Sequence, residues 1–500
     1  MAQDAILAID AGTTGVTALL VDHDGIVRGR GYREIEQHYQ RPGWVEQDPE
    51  DIWRSALAAS DAALSAAPEY RPVALGLSNQ RETMLFWDRR TGEPAYNAIV
   101  WQCRRSAAIC DELRAAGLED AVARKTGLRF DPYFSGTKAL WLTRELPALA
   151  PCIANGDVCF GTVDSWLAYR LTGGDAHITD VTNACRTLAF DIERFDWDDD
   201  LLALFGLNRS VMPEIGPSAG VRATTHGAGA LTDDLPAASL VGDQQAALYG
   251  QCCFEPGLIK ATYGTGCFIL LHTGETAVRS RHGLLTSVAA TTSPGQHRYA
   301  LEGSIFVAGA ALQWCRDNLG IIESAAEGEA LMRSVPDAGG VVFVPAFVGL
   351  GSPHWGPGVR GALYGLTGAT SRAHIVRAAM ESMVYQAQDV LAVMAQETGY
   401  GVRELRVDGG AAANDLLMQL QAELAGVPVS RPESVESTAM GAAYLAGLAV
   451  GFWRDEAELK TLRHESKRFL PGASTTTARD GYARWQAAVA GLLATELPPL

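Results

Sequence analysis

The stretch ILAIDAGTTGVTALLVDHDG, residues 6–25, sets a carboxylate beside what is otherwise a well-prepared phosphate site. Gly12 stands next to the hydroxyls of Thr13 and Thr14, and a glycine there lets oxygens come close to backbone N–H groups. Asp10, just ahead of that corner, repels phosphate, so something must mediate between acid and anion if both serve one ligand. The lysine-bearing phosphate loop, GxxxxGK followed by Ser or Thr, does not occur in this stretch, which excludes the most familiar nucleotide-binding arrangement here.

Three other stretches carry chemistry at the ends of apolar runs. VALGLSNQRETMLFWDRRTGEP reads as a strand ending near Ser78, a polar loop and a second strand, so Arg81 and Glu82 fall at a strand's carboxyl end, the edge where α/β proteins bind ligands. A surface ion pair accounts for these two residues equally well. In ASLVGDQQAALYG, Asp243 opens a helix; capping alone explains an acid there, but Gln244 and Gln245 add hydrogen-bonding side chains where a core helix carries apolar ones. LRVDGGAAANDLLMQLQAELAG runs from a strand at residues 405–407 through Gly409 and Gly410 into an amphipathic helix, which suits a nucleotide lying against backbone although the GxGxxG spacing is missing.

The elements that must position these groups are duplicated. Residues 6–9 alternate as a strand, turn at AGTTG, run out through residues 16–21 and turn again at DHDG, giving three antiparallel strands. LIKATYGTGCFILLHTGE repeats the plan, with Gly264 at the corner equivalent to Gly12. Two hairpins of one design, each opening half of the chain, predict a duplicated domain whose halves face each other across a cleft.

A chain of 500 residues, 47% of them hydrophobic, exceeds what one core organises and implies two sizeable domains. The formal charge of −17 argues against nucleic acid or an anionic membrane as partner and favours a small substrate. The nine cysteines include no CxxC pair and their commonest neighbours are apolar, as for reduced, packed thiols, which points to the cytoplasm. The ten histidines lack metal-ligand spacing. No secretory leader is expected at the start, and the uncharged stretch at 437–453 is too short and glycine-rich for a membrane span, so it is expected to form a buried helix.

DAGTTG, GDQQAALYG, TYGTGCF and DGGAAAND, in that order, resemble the phosphate, connecting and adenosine motifs of the actin, hexokinase and heat-shock ATPase superfamily. YFSGTKALWLTRE (133–145) and GALYGLTGATSRAHIVRAAME (361–381) resemble the two family stretches of the FGGY carbohydrate kinases, with Ala139 small where a larger apolar residue is usual. NQRET, NAIVWQCRR, DPYFSGTK, GDQQAALYGQ and TYGTGCF resemble the branch of that family that phosphorylates glycerol, and the likeness covers almost the whole chain.

The resemblance implies an α/β fold of two ribonuclease H-like (actin-like ATPase) domains facing each other across a central cleft, divided as residues 1–252 and 253–500. It implies glycerol held by Arg81, Glu82, Tyr133, Asp243 and Gln244 with Trp101 and Phe268 against its carbons, and Asp243 as the base of an ATP-dependent transfer that leaves ADP. Asp10 would face Mg²⁺; Thr13, Thr14, Gly264, Thr265 and Gly266 would hold phosphate oxygens; Gly309, Gln313, Gly410 and Asn414 would contact the nucleotide. A homo-oligomer, dimer or tetramer, is implied as well. The rival expectations are a kinase for another small polyol or ketose and an ATP-binding sensor without turnover. Two departures stand out. Thr17 replaces an arginine that meets ATP's phosphates in relatives. THGAGALTDDLP, at 225–236, has Leu235 in place of the arginine that belongs to a fructose 1,6-bisphosphate loop in part of the family.

Overall fold

The computed structural model describes residues 2–229, 231–399, 401–434, 436–472 and 475–495. Strands β1 (Gln3–Ala11), β2 (Gly15–Val21) and β3 (Val27–Glu34) form the expected antiparallel meander. Alternation along β1 divides its side chains between two cores: Ala5, Leu7 and Ile9 pack toward helix α1 (Pro49–Ala66), while Ile6 and Ala8 enter a separate cluster on the other face. Helix α1 begins where Asp48 caps it by accepting from the Glu50 N–H, with Pro49 in the first position that tolerates a missing donor. Strand β4 (Tyr70–Asn79) then returns parallel to β1. Helix α2 (Ser135–Glu145) follows in a long excursion, before β5 (Pro236–Gly242) pairs parallel with β4 and leads directly into α3 (Asp243–Gly250).

The second half repeats this connectivity. Strands β6 (Leu258–Tyr263), β7 (Cys267–Gly274) and β8 (Tyr299–Ile305) form its antiparallel meander, followed by α4 (Gly309–Asp317) and the long central helix α5 (Arg372–Thr398). Strand β9 (Glu404–Asp408) lies parallel to β6; helix α6 (Asp415–Ala425) and strand β10 (Val429–Pro432) complete the set. Strand orders β3-β2-β1-β4-β5 and β8-β7-β6-β9-β10 are the same path drawn twice, the arrangement of two ribonuclease H-like domains of the actin-like ATPase type.

Two local features differ from the plain reading of the sequence. Beyond β9 the chain makes a short 3-10 turn, Gly410–Ala413, so the following helix starts only at Asp415, where the Asn414 side chain caps it by accepting from Leu417 N–H at 3.0 Å. Helix α7 (Ser437–Ala449) is buried as expected, but it lies on the first half, against β1, β4, β5 and α3. Gly441 and Gly250 permit that approach: a Cβ on Gly441 would sit 1.9 Å from the Ala246 carbonyl oxygen, and one on Gly250 2.0 Å from that of Ser437. A division at residue 252 therefore follows the order of the chain, while in space α7 completes the core of the first half. Helix α8 (Thr475–Leu493) closes the second half, its Tyr482 and Trp485 both donating to buried Asp389 on α5. Among the described residues no helix is long and apolar enough to cross a membrane. Of the nine cysteines eight are buried and none is bonded to another.

Candidate active site

Asp10, next to last in β1, lies beside Ser78 of the parallel strand β4, and the Ser78 hydroxyl donates to its Oδ1 at 3.1 Å. Burial, with the Asp243 carboxylate adding to it, outweighs that hydrogen bond and pushes the Asp10 carboxyl up to about 7. Asp243 is the first residue of α3; the cap position is Gly242, and among the described residues Asp243 Oδ1 accepts a hydrogen bond only from the adjacent Gln244 N–H, at 2.7 Å. The same oxygen lies 3.2 Å from Arg81 Nε. Capping is thus not the explanation of this acid: it looks into the cleft, toward another carboxylate and a guanidinium.

Arg81 and Glu82 are not a surface pair. They are 2% and 1% exposed, and stand 3.8 Å from each other while bonding more closely elsewhere. Arg81 gives Nη1 and Nη2 to Glu302 at 2.9 and 2.8 Å, Nη1 also to Gln245 Oε1 at 3.1 Å, and Nη2 to the Tyr133 hydroxyl at 3.3 Å. Glu82 accepts from Arg186 Nε at 2.5 Å, and Arg186 also reaches Glu302 at 3.1 and 3.2 Å. Burial alone would raise the Glu302 carboxyl; Arg186 and Arg81 overcome it and bring it down to about 2. Glu82 has φ of 61°, in the left-handed region that side-chain-bearing residues seldom occupy. Its carbonyl is fixed there by Ser135 Oγ at 3.0 Å and Lys138 Nζ at 3.2 Å, both from the first turn of α2. Lys138 is itself fully buried, and burial pushes its ammonium down to about 8.

Aromatic rings close the other side. Trp101 meets Tyr133 and Phe268 edge-on, with ring centroids 5.6 and 5.9 Å apart, and its indole N–H donates to Thr13 Oγ1 at 2.8 Å. That bond links the wall of the pocket to the first hairpin and uses the Thr13 hydroxyl as an acceptor. Phe268 comes from the second half. Beneath it, buried Lys260 donates to the Phe268 carbonyl at 3.2 Å, to Thr262 Oγ1 at 2.9 Å and to Gln244 Oε1, so one ammonium fixes groups from both halves.

The second hairpin, Gly264–Gly266, is docked on the start of α4. Ala308, Gly309 and Ala310 donate their N–H groups to the carbonyls of Thr265, Gly264 and Thr265, at 2.8, 3.0 and 3.1 Å. A side chain at 309 is excluded, since its Cβ would lie 2.6 Å from the Gly264 oxygen. Gln313, one turn along α4, is exposed, as are Thr14 and Gly410. Gly409 packs on the Tyr263 backbone, so Gly410 adjoins the Gly264 corner. Asn414 is buried and its side-chain oxygen is occupied by capping, which leaves its amide nitrogen as the group free to reach a ligand.

Sequence reasoning passed over Ser78, Lys138, Arg186, Lys260 and Glu302. The signal for two of them was a single charge inside an otherwise apolar strand, LIKATY and YALEGSI, where an unpartnered charge is prohibitively costly.

Comparison with known proteins identifies the family. The N-terminal domain of the FGGY family of carbohydrate kinases matches residues 5–250 and its C-terminal domain residues 259–450. A glycerol kinase of Carboxydothermus hydrogenoformans is 51% identical over 98% of this chain and 98% of its own. Glycerol kinase 2 of Thermotoga maritima is 49% identical over 98% and 99%. The crystal structure of Plasmodium falciparum glycerol kinase with ADP superposes with a TM-score of 0.91 at 33% identity, covering 99% of both chains. With both family domains matched in order and relatives at about half identity over nearly the full length, the chain belongs to the FGGY family of carbohydrate kinases.

Proposed function

We infer that the protein is a glycerol kinase, moving the γ-phosphoryl group of ATP to a terminal hydroxyl of glycerol and releasing sn-glycerol 3-phosphate and ADP. The observation that carries this reading is Asp243: a carboxylate at the head of α3, 3.2 Å from the Arg81 guanidinium and electrostatically coupled to Asp10, next to a wall of Trp101, Tyr133 and Phe268. A triol exposes hydroxyls on one side and C–H groups on the other, and this pocket offers charge to the first and rings to the second. The names of relatives at half identity support the same substrate.

In this reading Arg81, Glu82, Tyr133 and Gln244 orient the hydroxyls, and Asp243 aligns the attacking oxygen and accepts its proton. A carboxylate is a weak base for an alcohol, but the transition state of phosphoryl transfer is loose and the proton leaves late, so alignment matters more than basicity. Thr14, Gly264, Thr265 and Gly266 offer hydroxyl and backbone donors to phosphate, and Gly309, Gln313, Gly410 and Asn414 border the nucleoside.

Asp10 and Asp243 fit a magnesium ion. Among the described residues no three metal-ligating side chains gather, but Mg²⁺ needs only one or two carboxylates when phosphate and water fill the other positions. The burden on Asp10, a half-buried carboxyl held up to about 7 beside a second acid, is what a cation relieves. When bound, the ion would neutralise charge on the β- and γ-phosphate oxygens. Closure of the two halves, taken as residues 1–252 and 253–500, would exclude water and limit ATP hydrolysis.

The test is phosphoryl transfer from Mg·ATP to glycerol, dihydroxyacetone, erythritol, xylulose and ribulose offered separately. Glycerol is expected to be the preferred acceptor; transfer to a ketose in preference, or to none of them, overturns the reading.

A further inference from the structure

The guanidinium of Arg81 is gripped from the far half of the molecule. Glu302, on β8, takes both terminal nitrogens as a fork, at 2.9 and 2.8 Å. The same carboxylate takes both terminal nitrogens of Arg186, at 3.1 and 3.2 Å, and a hydrogen bond from Ser287 Oγ at 3.0 Å. Arg186 holds Glu82 through Nε at 2.5 Å and lies over the Tyr133 ring, 5.4 Å from its centroid. Two cations and two anions thus alternate in a neutral ring, each at most 2% exposed.

Stability is a poor reason for such a ring, because buried ion pairs rarely outperform apolar side chains of the same volume. Orientation is a better one. A guanidinium has five N–H donors in a fixed plane. Glu302, Gln245 and the Tyr133 hydroxyl take the four on the terminal nitrogens of Arg81. The fifth, on Nε, is buried and makes no hydrogen bond among the described residues, its nearest acceptor being Asp243 Oδ1 at 3.2 Å. A buried donor left open in this way is costly unless a ligand fills it.

We propose that Glu302 and Arg186 are positioning residues for the sugar-alcohol substrate: by saturating the terminal nitrogens of Arg81 they turn its one open N–H toward Asp243 and a substrate hydroxyl. The segments that carry Ser287 and Glu302 are themselves anchored beside Arg81, since Leu285, Val288 and Tyr299 pack in one core with Phe86, Tyr133 and Phe134 of the first half. β8 also runs from Glu302 to Ile305 and on to Gly309, joining the grip on Arg81 to the nucleotide side. The inference rests on the proposed glycerol kinase activity.

The test is steady-state kinetics of the full chain with glycerol and Mg·ATP varied separately. Glu302→Gln keeps the shape but loses the charge of the fork; the KM for glycerol is expected to rise about tenfold or more while that for Mg·ATP stays within about twofold. Glu302→Asp keeps the charge and is expected to recover part of the loss. Since Glu302→Gln leaves two buried arginines against one carboxylate and could fail to fold, Ser287→Ala decides independently. It removes the hydroxyl that accepts from Arg186 Nη1 at 2.7 Å and donates to Glu302, without unpairing a charge, and its glycerol KM is expected to rise about threefold or more in a variant that still unfolds cooperatively, with a lowered Tm. A folded Glu302→Gln or Ser287→Ala variant whose glycerol KM stays within about twofold of wild type overturns the inference and leaves the ring a purely structural one. Wild-type protein that does not phosphorylate glycerol overturns the activity beneath it, which keeps the two failures apart.

Discussion

Ser78 donates to Asp10 across the parallel pair of β1 and β4, at 3.1 Å, and this bond favours the charged carboxylate without prevailing. Burial and Asp243 hold the Asp10 carboxyl up to about 7, above its ordinary 3.8. Between those values the folded protein binds a proton that the unfolded chain has lost, so this group's contribution to stability falls as pH rises through the window and the penalty is complete above it. Asp10→Asn is therefore expected to raise the Tm of the ligand-free protein at about pH 8, to raise it by clearly less at about pH 5, where only part of the penalty has accrued, and to abolish stabilisation by Mg·ADP. Thermal denaturation at the two pH values, with and without Mg·ADP, checks all three; an Asn variant no more stable than wild type at the higher pH contradicts the account.

Asp243→Asn separates proton acceptance from shape. The amide can still accept from the Gln244 N–H through its oxygen and fill the same volume beside Arg81. What it loses is the charge, and general base catalysis contributes about 10²- to 10⁴-fold, so kcat is expected to fall by that factor while glycerol binding, measured by calorimetry, changes far less. A variant that keeps most of its turnover removes Asp243 from the role.

The sequence reading reached the hairpins because strand alternation and glycine corners are local. It reached Arg81 and Glu82 because a polar pair ended an apolar run. It could not reach their partners: Glu302 lies 221 residues beyond Arg81, and only the meeting of the two halves brings them together. The same limit applies to α7, whose buried run of Ala and Gly signalled a core helix but not which core. Asn414 shows a different limit. Gly410–Ala413 tolerates helix or turn, and the capping bond to Leu417 fixes the boundary, a choice that propensity leaves open.

The loop before β5 argues against regulation by a bisphosphate. Leu235, in the place of the arginine found in part of the family, is 4% exposed and packed in the core beside α1, so it presents nothing to a ligand. Asp233 accepts from the Gly227 N–H at 2.7 Å, and Asp234 sits at φ of 64°, which leaves two carboxylates on the same short turn. Fructose 1,6-bisphosphate at millimolar concentration is expected to leave activity unchanged at fixed ionic strength. A saturable inhibition curve would overturn this.

Thr17, on β2, stands directly opposite Asp10 of β1 and Tyr32 of β3, and is 8% exposed. Directly opposed residues of an antiparallel pair share a face, so a longer side chain at 17 would lie alongside the Asp10 carboxylate and reach toward whatever anion that acid helps to hold. Threonine offers one neutral hydroxyl there. Arginine would bring charge-assisted, forked contacts worth about 1.5–3 kcal/mol each, on the order of tenfold or more in affinity. Thr17→Arg is therefore expected to lower the KM for Mg·ATP by about tenfold with little change in the KM for glycerol, because Arg81, Trp101 and Phe268 are untouched. A second consequence is independent of the nucleotide: a guanidinium beside Asp10 favours its charged form, so the Tm of the ligand-free variant should exceed that of wild type at about pH 8, where Asp10 is most costly. If the folded variant gains Tm but its nucleotide KM is unchanged or higher, the guanidinium has paired with Asp10 in place of phosphate, and this hairpin holds ATP by its backbone and hydroxyl donors alone.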